Sequence, residues 1–124
     1  MKAKQLKQKS VKLLGTGKPL REFLYVEDLA NAVYLMMRQK KSKIKSVAKN
    51  KFPMFNVGTG RNISIKKLSE LIKKKIKYNG KIHFDKSYPD GTMKKNLDSS
   101  KIKKFGWKPK IKLSQGLSEI IENI

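Results

Sequence analysis

Arg21 stands directly after the turn Gly15-Thr16-Gly17-Lys18-Pro19, in a chain whose positive charge is otherwise almost all lysine. A guanidinium is a planar, permanently charged fork and grips an oxyanion through two parallel hydrogen bonds, where an ammonium offers one point charge. A second candidate is Pro89-Asp90-Gly91-Thr92-Met93-Lys94-Lys95, which sets one carboxylate and two ammonium groups beside a glycine. Such a loop either holds a hydroxyl or phosphate or is a turn with solvated charges, and spacing alone favours the turn. Other patterns fail on inspection. Gly15-x-Gly17 and Gly58-x-Gly60 open like a dinucleotide fingerprint, but Leu20 and Ile63 stand where the third glycine belongs. A Walker-type phosphate loop fails because Pro19 follows Lys18 and Lys12 replaces the first glycine. These glycines read instead as tight strand exits. His83 is alone among lysines and reads as surface; with no cysteine, thiolate chemistry, disulfides and zinc–cysteine sites are excluded.

The elements that must position these residues can be read from periodicity. Val11 and Leu13, then Leu20 to Val26, are short β-prone runs joined by the glycine–proline turn, which predicts a β-hairpin. Glu27 and Asp28 precede a predicted helix over Asp28–Gln39, with Leu29, Ala32, Val33, Met36 and Met37 on its inner face. Residues 40–51 read as a lysine-rich loop, and Phe52 to Val57 as a strand ending at Gly58-Thr59-Gly60. Ser64 caps a helix over Ile65–Lys77, ended by Tyr78-Asn79-Gly80 with Asn or Gly left-handed. Lys81 to Asp85 is a strand with Ile82 and Phe84 on one face. Asp98 or Ser99 caps a short helix ending at Gly106, with Ile102 and Phe105 inward and Trp107 packed beside Pro109. Ser114 caps a last helix striped by Leu117, Ile120, Ile121 and Ile124. Met1 to Ser10 reads as a helix tail or a frayed end. The class is α/β, with a β-hairpin, short strands and about four helices.

At 124 residues and 38% hydrophobic, the chain is at most one globular domain. No run is long and apolar enough to cross a membrane, and MKAKQLKQKS lacks a signal-peptide core, so a soluble, cytoplasmic protein is expected. A net charge of +22 invites a nucleic-acid partner. Only Arg21, Arg38 and Arg61 are arginine, however, and the lysines are spread over every segment. Base reading favours arginine's fork, so diffuse solvated charge is the expectation.

Several motifs carry a family resemblance. They are Gly15-Thr16-Gly17-x-Pro19-x-Arg21-Glu22-Phe23, Val26-x-Asp28-Leu29-Ala30, Phe55-Asn56-Val57-Gly58-Thr59-Gly60 and Gly106-Trp107-Lys108-Pro109. The narrowest is Phe84-Asp85-Lys86-Ser87-Tyr88-Pro89-Asp90-Gly91-Thr92 followed by Lys94-Lys95 and Leu97-Asp98. Together they resemble the extended short-chain dehydrogenase/reductases acting on nucleotide sugars, and within these the GDP-L-fucose synthases, NADP-dependent epimerase-reductases. The match runs from Val11 to Ile124 and resembles the C-terminal, substrate-binding part of such an enzyme, without its N-terminal Rossmann half.

The resemblance implies that NADP is bound by that other half, and that a GDP-sugar substrate, a separate Rossmann half and a homodimer are the partners. It places a diphosphate contact on Arg21 and further substrate contacts on Asp90 and Lys95. Leu14 falls where the family often has an aromatic platform, and Met93-Lys94-Lys95 replaces a Pro-Arg-Lys ending. The family's Tyr-x-x-x-Lys pair is not here: Tyr25, Tyr34, Tyr78 and Tyr88 are followed four positions on by Leu29, Arg38, Ile82 and Thr92. The resemblance therefore implies no catalytic residue and no activity for these residues alone. Two alternatives stand beside it: part of another nucleotide-sugar epimerase or dehydratase, and a small basic nucleic-acid-binding module.

Overall fold

The computed structural model describes residues 1–49 and 51–123. In chain order the elements are α1 (Lys2–Gln5), β1 (Ser10–Leu14), β2 (Leu20–Glu22), α2 (Val26–Met37) and α3 (Lys41–Ala48). There follow β3 (Asn62–Ser64), α4 (Ile65–Lys75), β4 (Lys81–Asp85), α5 (Ser100–Lys103) and α6 (Leu113–Glu122). The class is α/β, as expected. Six helices appear among the described residues rather than about four, because the single-turn α1 and the unforeseen α3 add to the four expected. Two compact units share the chain: Met1–Arg21 with Asn62–Lys95 and Ser114–Ile124, and Glu22–Arg61 with Asn96–Leu113.

In the first unit the expected hairpin is replaced by two separate pairings. β1 lies parallel to β4, in register from Ser10↔Lys81 to Leu14↔Asp85, and the Gly15 amide extends the ladder to the Asp85 carbonyl at 2.9 Å. β2 pairs with β3 instead of β1. The reason lies in the turn, where Gly15 and Gly17 adopt φ of +80° and +72°. Each glycine reaches a left-handed conformation that other residues resist, and here the two lead the chain away from β1 rather than back along it. α4 starts as predicted, its first turn closed by the Lys67 amide donating to Ser64 Oγ at 3.2 Å. Its apolar stripe meets β1 and β4, burying Ile76 and leaving an apolar groove of about 320 Å³ that Val11, Leu13, Ile72 and Tyr78 help to line. The left-handed residue that ends this helix is Lys77, not Asn79 or Gly80. α6 begins one residue before the predicted cap, and its Ile120 is exposed while Leu117 and Ile121 are half-buried. Ile124 lies outside the described residues.

In the second unit Ala32, Ile102 and Trp107 form the core, with Leu24, Leu35, Met36 and Val57 packed around them. α2 runs two residues earlier at each end than predicted and turns a different face inward. Asp28 and Ala32 are buried, while Leu29, Val33 and Met37 are exposed. Asp28 sets this rotation. Its carboxylate accepts the amides of Lys110 (3.0 and 3.1 Å) and Ile111 (2.9 Å), which holds position 28 inward. The predicted loop over residues 40–51 is largely helix. Ile44, Val47 and Ala48 recur on one side of α3, Ala48 is fully buried, and its carbonyl accepts from Lys101 Nζ at 3.1 Å. Asn50, in the same stretch, lies outside the described residues. Phe52 to Val57 forms no strand, because no described segment offers it a ladder. Phe55 packs edge-on against Phe105, ring centroids 5.6 Å apart.

Candidate functional site

The glycine turn that leads into Arg21 and the loop carrying Asp90 meet in the first unit. Asp90 accepts from the Thr16 amide at 2.8 Å through Oδ1 and from the Thr16 hydroxyl through Oδ2. Thr16 Oγ1 in turn accepts the Lys18 amide at 3.1 Å. A Cβ on Gly15 would strike the Asp90 carboxylate, and one on Gly17 would enter the Phe84 ring. The glycine pair is thus required by close approach as well as by backbone angle. The Thr16 hydroxyl first, then its amide, holds the Asp90 carboxyl below its ordinary value.

Arg21 is half-buried. Its Nη1 donates to the Leu20 carbonyl at 2.7 Å and to the Thr92 carbonyl at 2.8 Å. Among the described residues the other guanidinium nitrogens have no hydrogen-bond partner. One nitrogen of the fork is anchored by two carbonyls. Around it lies a depression of about 160 Å³ lined by Leu14, Gly17, Pro19, Arg21, Ile65, Pro89, Asp90 and Gly91. Leu14 is exposed there, an apolar surface beside a fixed cation. Of the four residues expected to touch substrate, the structure brings together Arg21, Asp90 and Leu14. Lys95 is exposed and outside the lining, tied to the loop by its amide bond to the Leu20 carbonyl at 3.4 Å. Thr16 was not singled out from the sequence. The available signal was a hydroxyl between two glycines that both need positive φ.

In the second unit Glu22 plays a similar bracing part. It accepts from the Gly60 amide, from Thr59 Oγ1 at 3.2 Å and from the Leu97 amide at 3.0 Å. Burial pushes its carboxyl up, and the bonds from Leu97, Gly60 and Thr59 more than reverse this, leaving it below the ordinary value. The Gly58-Thr59-Gly60 turn is therefore shaped around a carboxylate. No phosphate cradle forms at the other glycine turn either. The first amides of α4 are taken by protein carbonyls, Ile65 by Pro19 at 3.1 Å and Lys66 by Gly17 at 2.9 Å. A dinucleotide's pyrophosphate needs such amides free, so the start of α4 offers it no cradle. Among the described residues no three His, Cys, Asp or Glu side chains converge as metal ligands would. Nor, among the described residues, is any helix long and apolar enough to cross a membrane. What the depression can do is hold an anion against an apolar edge.

Known proteins resemble the chain in sequence and fold. The chain is 44% identical to probable GDP-L-fucose synthase 1 of Oryza sativa subsp. japonica, over 98% of the chain and 36% of that protein. It superposes on a GDP-6-OMe-4-keto-L-xylo-heptose reductase from C. jejuni with a TM-score of 0.82 at 39% identity, covering 93% of the chain and 33% of the other. The GDP-mannoheptose C4 reductase of Campylobacter jejuni, solved with NADP bound, gives 0.78 at 35%, covering 93% and 34%. The chain thus spans about a third of the length of the relatives it matches. The model of the GDP-mannose 4,6 dehydratase family matches residues 1–120, and the chain belongs to that family of nucleotide-sugar epimerases and reductases.

Proposed function

We propose that these residues are the substrate-binding part of an NADP-dependent enzyme of the GDP-L-fucose synthase kind. Such an enzyme converts GDP-4-keto-6-deoxy-mannose to GDP-L-fucose by 3,5-epimerisation and 4-reduction. The observation that carries the reading is Arg21, held on one edge by two carbonyls with its free edge at a depression of one fixed cation and one apolar wall. A sugar nucleotide's diphosphate fits that fork. Leu14 flanks the ligand, and the loop bearing Asp90 and Lys95 closes the sugar side. NADP and the catalytic tyrosine–lysine pair come from a Rossmann half outside these residues, and the working enzyme is a cytoplasmic homodimer. The lysine surface is solvated and serves no nucleic acid.

The test is reconstitution. Combined with a matching Rossmann half, the chain restores NADPH consumption with the GDP-4-keto-sugar; alone it consumes none. Arg21→Lys keeps the charge and loses the second prong, and substrate affinity falls by about 1–3 kcal/mol, the scale of a charged hydrogen bond. Unchanged affinity in Arg21→Lys, or NADPH consumption by the chain alone, overturns the assignment.

A further inference from the structure

The apolar groove between α4 and the β1–β4 pair shares no lining residue with the depression beside Arg21. Its walls are Val11 and Leu13 of β1, Ile82 of β4, and Ile72 and Ile76 of α4. The two hydroxyls that reach it are already committed. Tyr78 Oη donates to the Gln8 carbonyl at 3.0 Å, and Ser69 Oγ to the Lys66 carbonyl at 2.7 Å. Such a wall favours an alkyl chain over ordered water, which needs two to four polar partners. At about 320 Å³ the groove lies at the small end of ligand sites, roughly 300–1,000 Å³. Charge enters only at the rim. Lys2 and Lys4 of α1 and Lys73 of α4 are the charged residues of the lining, and all three are cations. Lys73 is half-buried, so its methylene stem covers apolar wall while its ammonium keeps to the edge. Among the described residues the ion pair is Lys12 with Asp85, and no carboxylate neutralises the three lysines of the rim.

We propose that this groove is a binding site for a free medium-chain fatty acid, with the alkyl chain against Val11, Leu13 and Ile72 and the carboxylate among Lys2, Lys4 and Lys73. The site goes beyond the function proposed above and does not depend on it. An apolar floor with a purely cationic rim is complementary to an unbranched chain that ends in one negative charge. The other occupants fit less well. A second copy of the chain, at a net charge of +22, brings like charge to a cationic rim. A docked helix spreads its anchors over two turns, whereas α1 supplies a wall of a single turn.

The probe is decanoate, kept below its micellar concentration and titrated into the full chain while amide NMR shifts are followed. Shifts should move and saturate in β1, β4 and α4 around the groove, and residues around Arg21 should stay in place. Octanoate should bind about 4–16-fold more weakly, at two- to fourfold for each of the two methylenes lost. Decyltrimethylammonium, which has the same chain and the opposite charge, should leave the groove untouched. Lys73→Gln should weaken decanoate by about 2–5-fold, the scale of an exposed ion pair. Ala3→Phe fills the groove from α1 and should abolish binding with the urea midpoint kept. A parent chain that ignores decanoate, binds the cationic amphiphile equally well, or shows shifts scattered over all its lysines overturns the site. So does undiminished binding in Ala3→Phe, or equal affinity in Lys73→Gln. Sedimentation of Val33→Glu/Met37→Glu, in which the exposed face of α2 is disabled, tests a second copy as the occupant. If that variant still dimerises and Ala3→Phe abolishes the dimer, a second copy fills the groove and the proposal fails.

Discussion

The indole N–H of Trp107 donates to the backbone carbonyl of Asp28 at 3.2 Å, while the Asp28 carboxylate holds the amides just beyond that tryptophan. One residue of α2 thus fixes the Trp107–Ile111 segment at both ends. Asp28→Ala leaves two amides without acceptors in a site where Asp28 is only 2% exposed. We expect a loss of about 2–6 kcal/mol, from about one to three per orphaned donor. Asp28→Asn keeps one acceptor oxygen and costs less. Urea denaturation of the three proteins gives the comparison, and equal midpoints would refute the clamp.

Two left-handed glycines separate backbone strain from crowding. Gly106 has φ +87° and nothing within 4 Å of an added Cβ, whereas Gly17 at φ +72° faces the Phe84 ring. Gly106→Ala should cost about 1–2 kcal/mol, the penalty of a left-handed alanine. Gly17→Ala adds overpacking of about 1–3 kcal/mol. Denaturation midpoints should fall in that order, and the reverse order would contradict the contact.

Acid should loosen the protein. The carboxyls of Glu22, Asp85, Asp90 and Asp98 all lie below their ordinary values. A depressed folded value means that the stability each contributes is whole above the unfolded value and is lost as pH falls through the folded one. For Asp85 that window runs from 3.8 down to about 2, set by the Ser87 hydroxyl and then by Lys12 at 3.1 Å. Thermal midpoints should hold to roughly pH 4 and then fall. Carboxyl NMR titration of Lys12→Met should raise the Asp85 value and leave Asp90 where it was. An unmoved Asp85 would show that the ion pair is not formed in solution.

The outer face of α2 should drive association. Val26, Leu29, Val33 and Met37 are 69%, 44%, 53% and 79% exposed and lie along one stripe. Contiguous apolar surface of this kind marks an interface. Sedimentation velocity should show concentration-dependent self-association of the chain, reduced in Val33→Glu/Met37→Glu. A parent that stays monomeric across the range would refute the expectation.

Local chemistry was legible and distant pairing was not. The Ser64 cap, the Lys81–Asp85 strand and the Gly106-Trp107 stop follow from signals within a few residues. β1's true partner did not, since a parallel ladder to β4 leaves no mark in the turn that follows β1. The inward face of α2 was misread because apolar spacing points to Leu29 and Val33, while the amides of Lys110 and Ile111 draw Asp28 inward. α3 was hidden because the stretch 40–51 holds six lysines against the three residues on the helix's inner side. Of the candidate site, Arg21 and the Asp90 loop stood out from motif and charge. Thr16 did not, because its partner is 74 positions away.

The parallel ladder also sets a clock on synthesis. Ser10 pairs with Lys81, 71 positions further along the chain. At ~5–20 residues per second, β1 leaves the ribosome roughly 4–14 s before its partner has been made. Throughout that interval its Val11 and Leu13 are bare and its backbone edge is open to any other strand. A chaperone that engages nascent chains would find its target in residues 10–14, and yield in cells should respond to the speed of translation between the codons for β1 and β4.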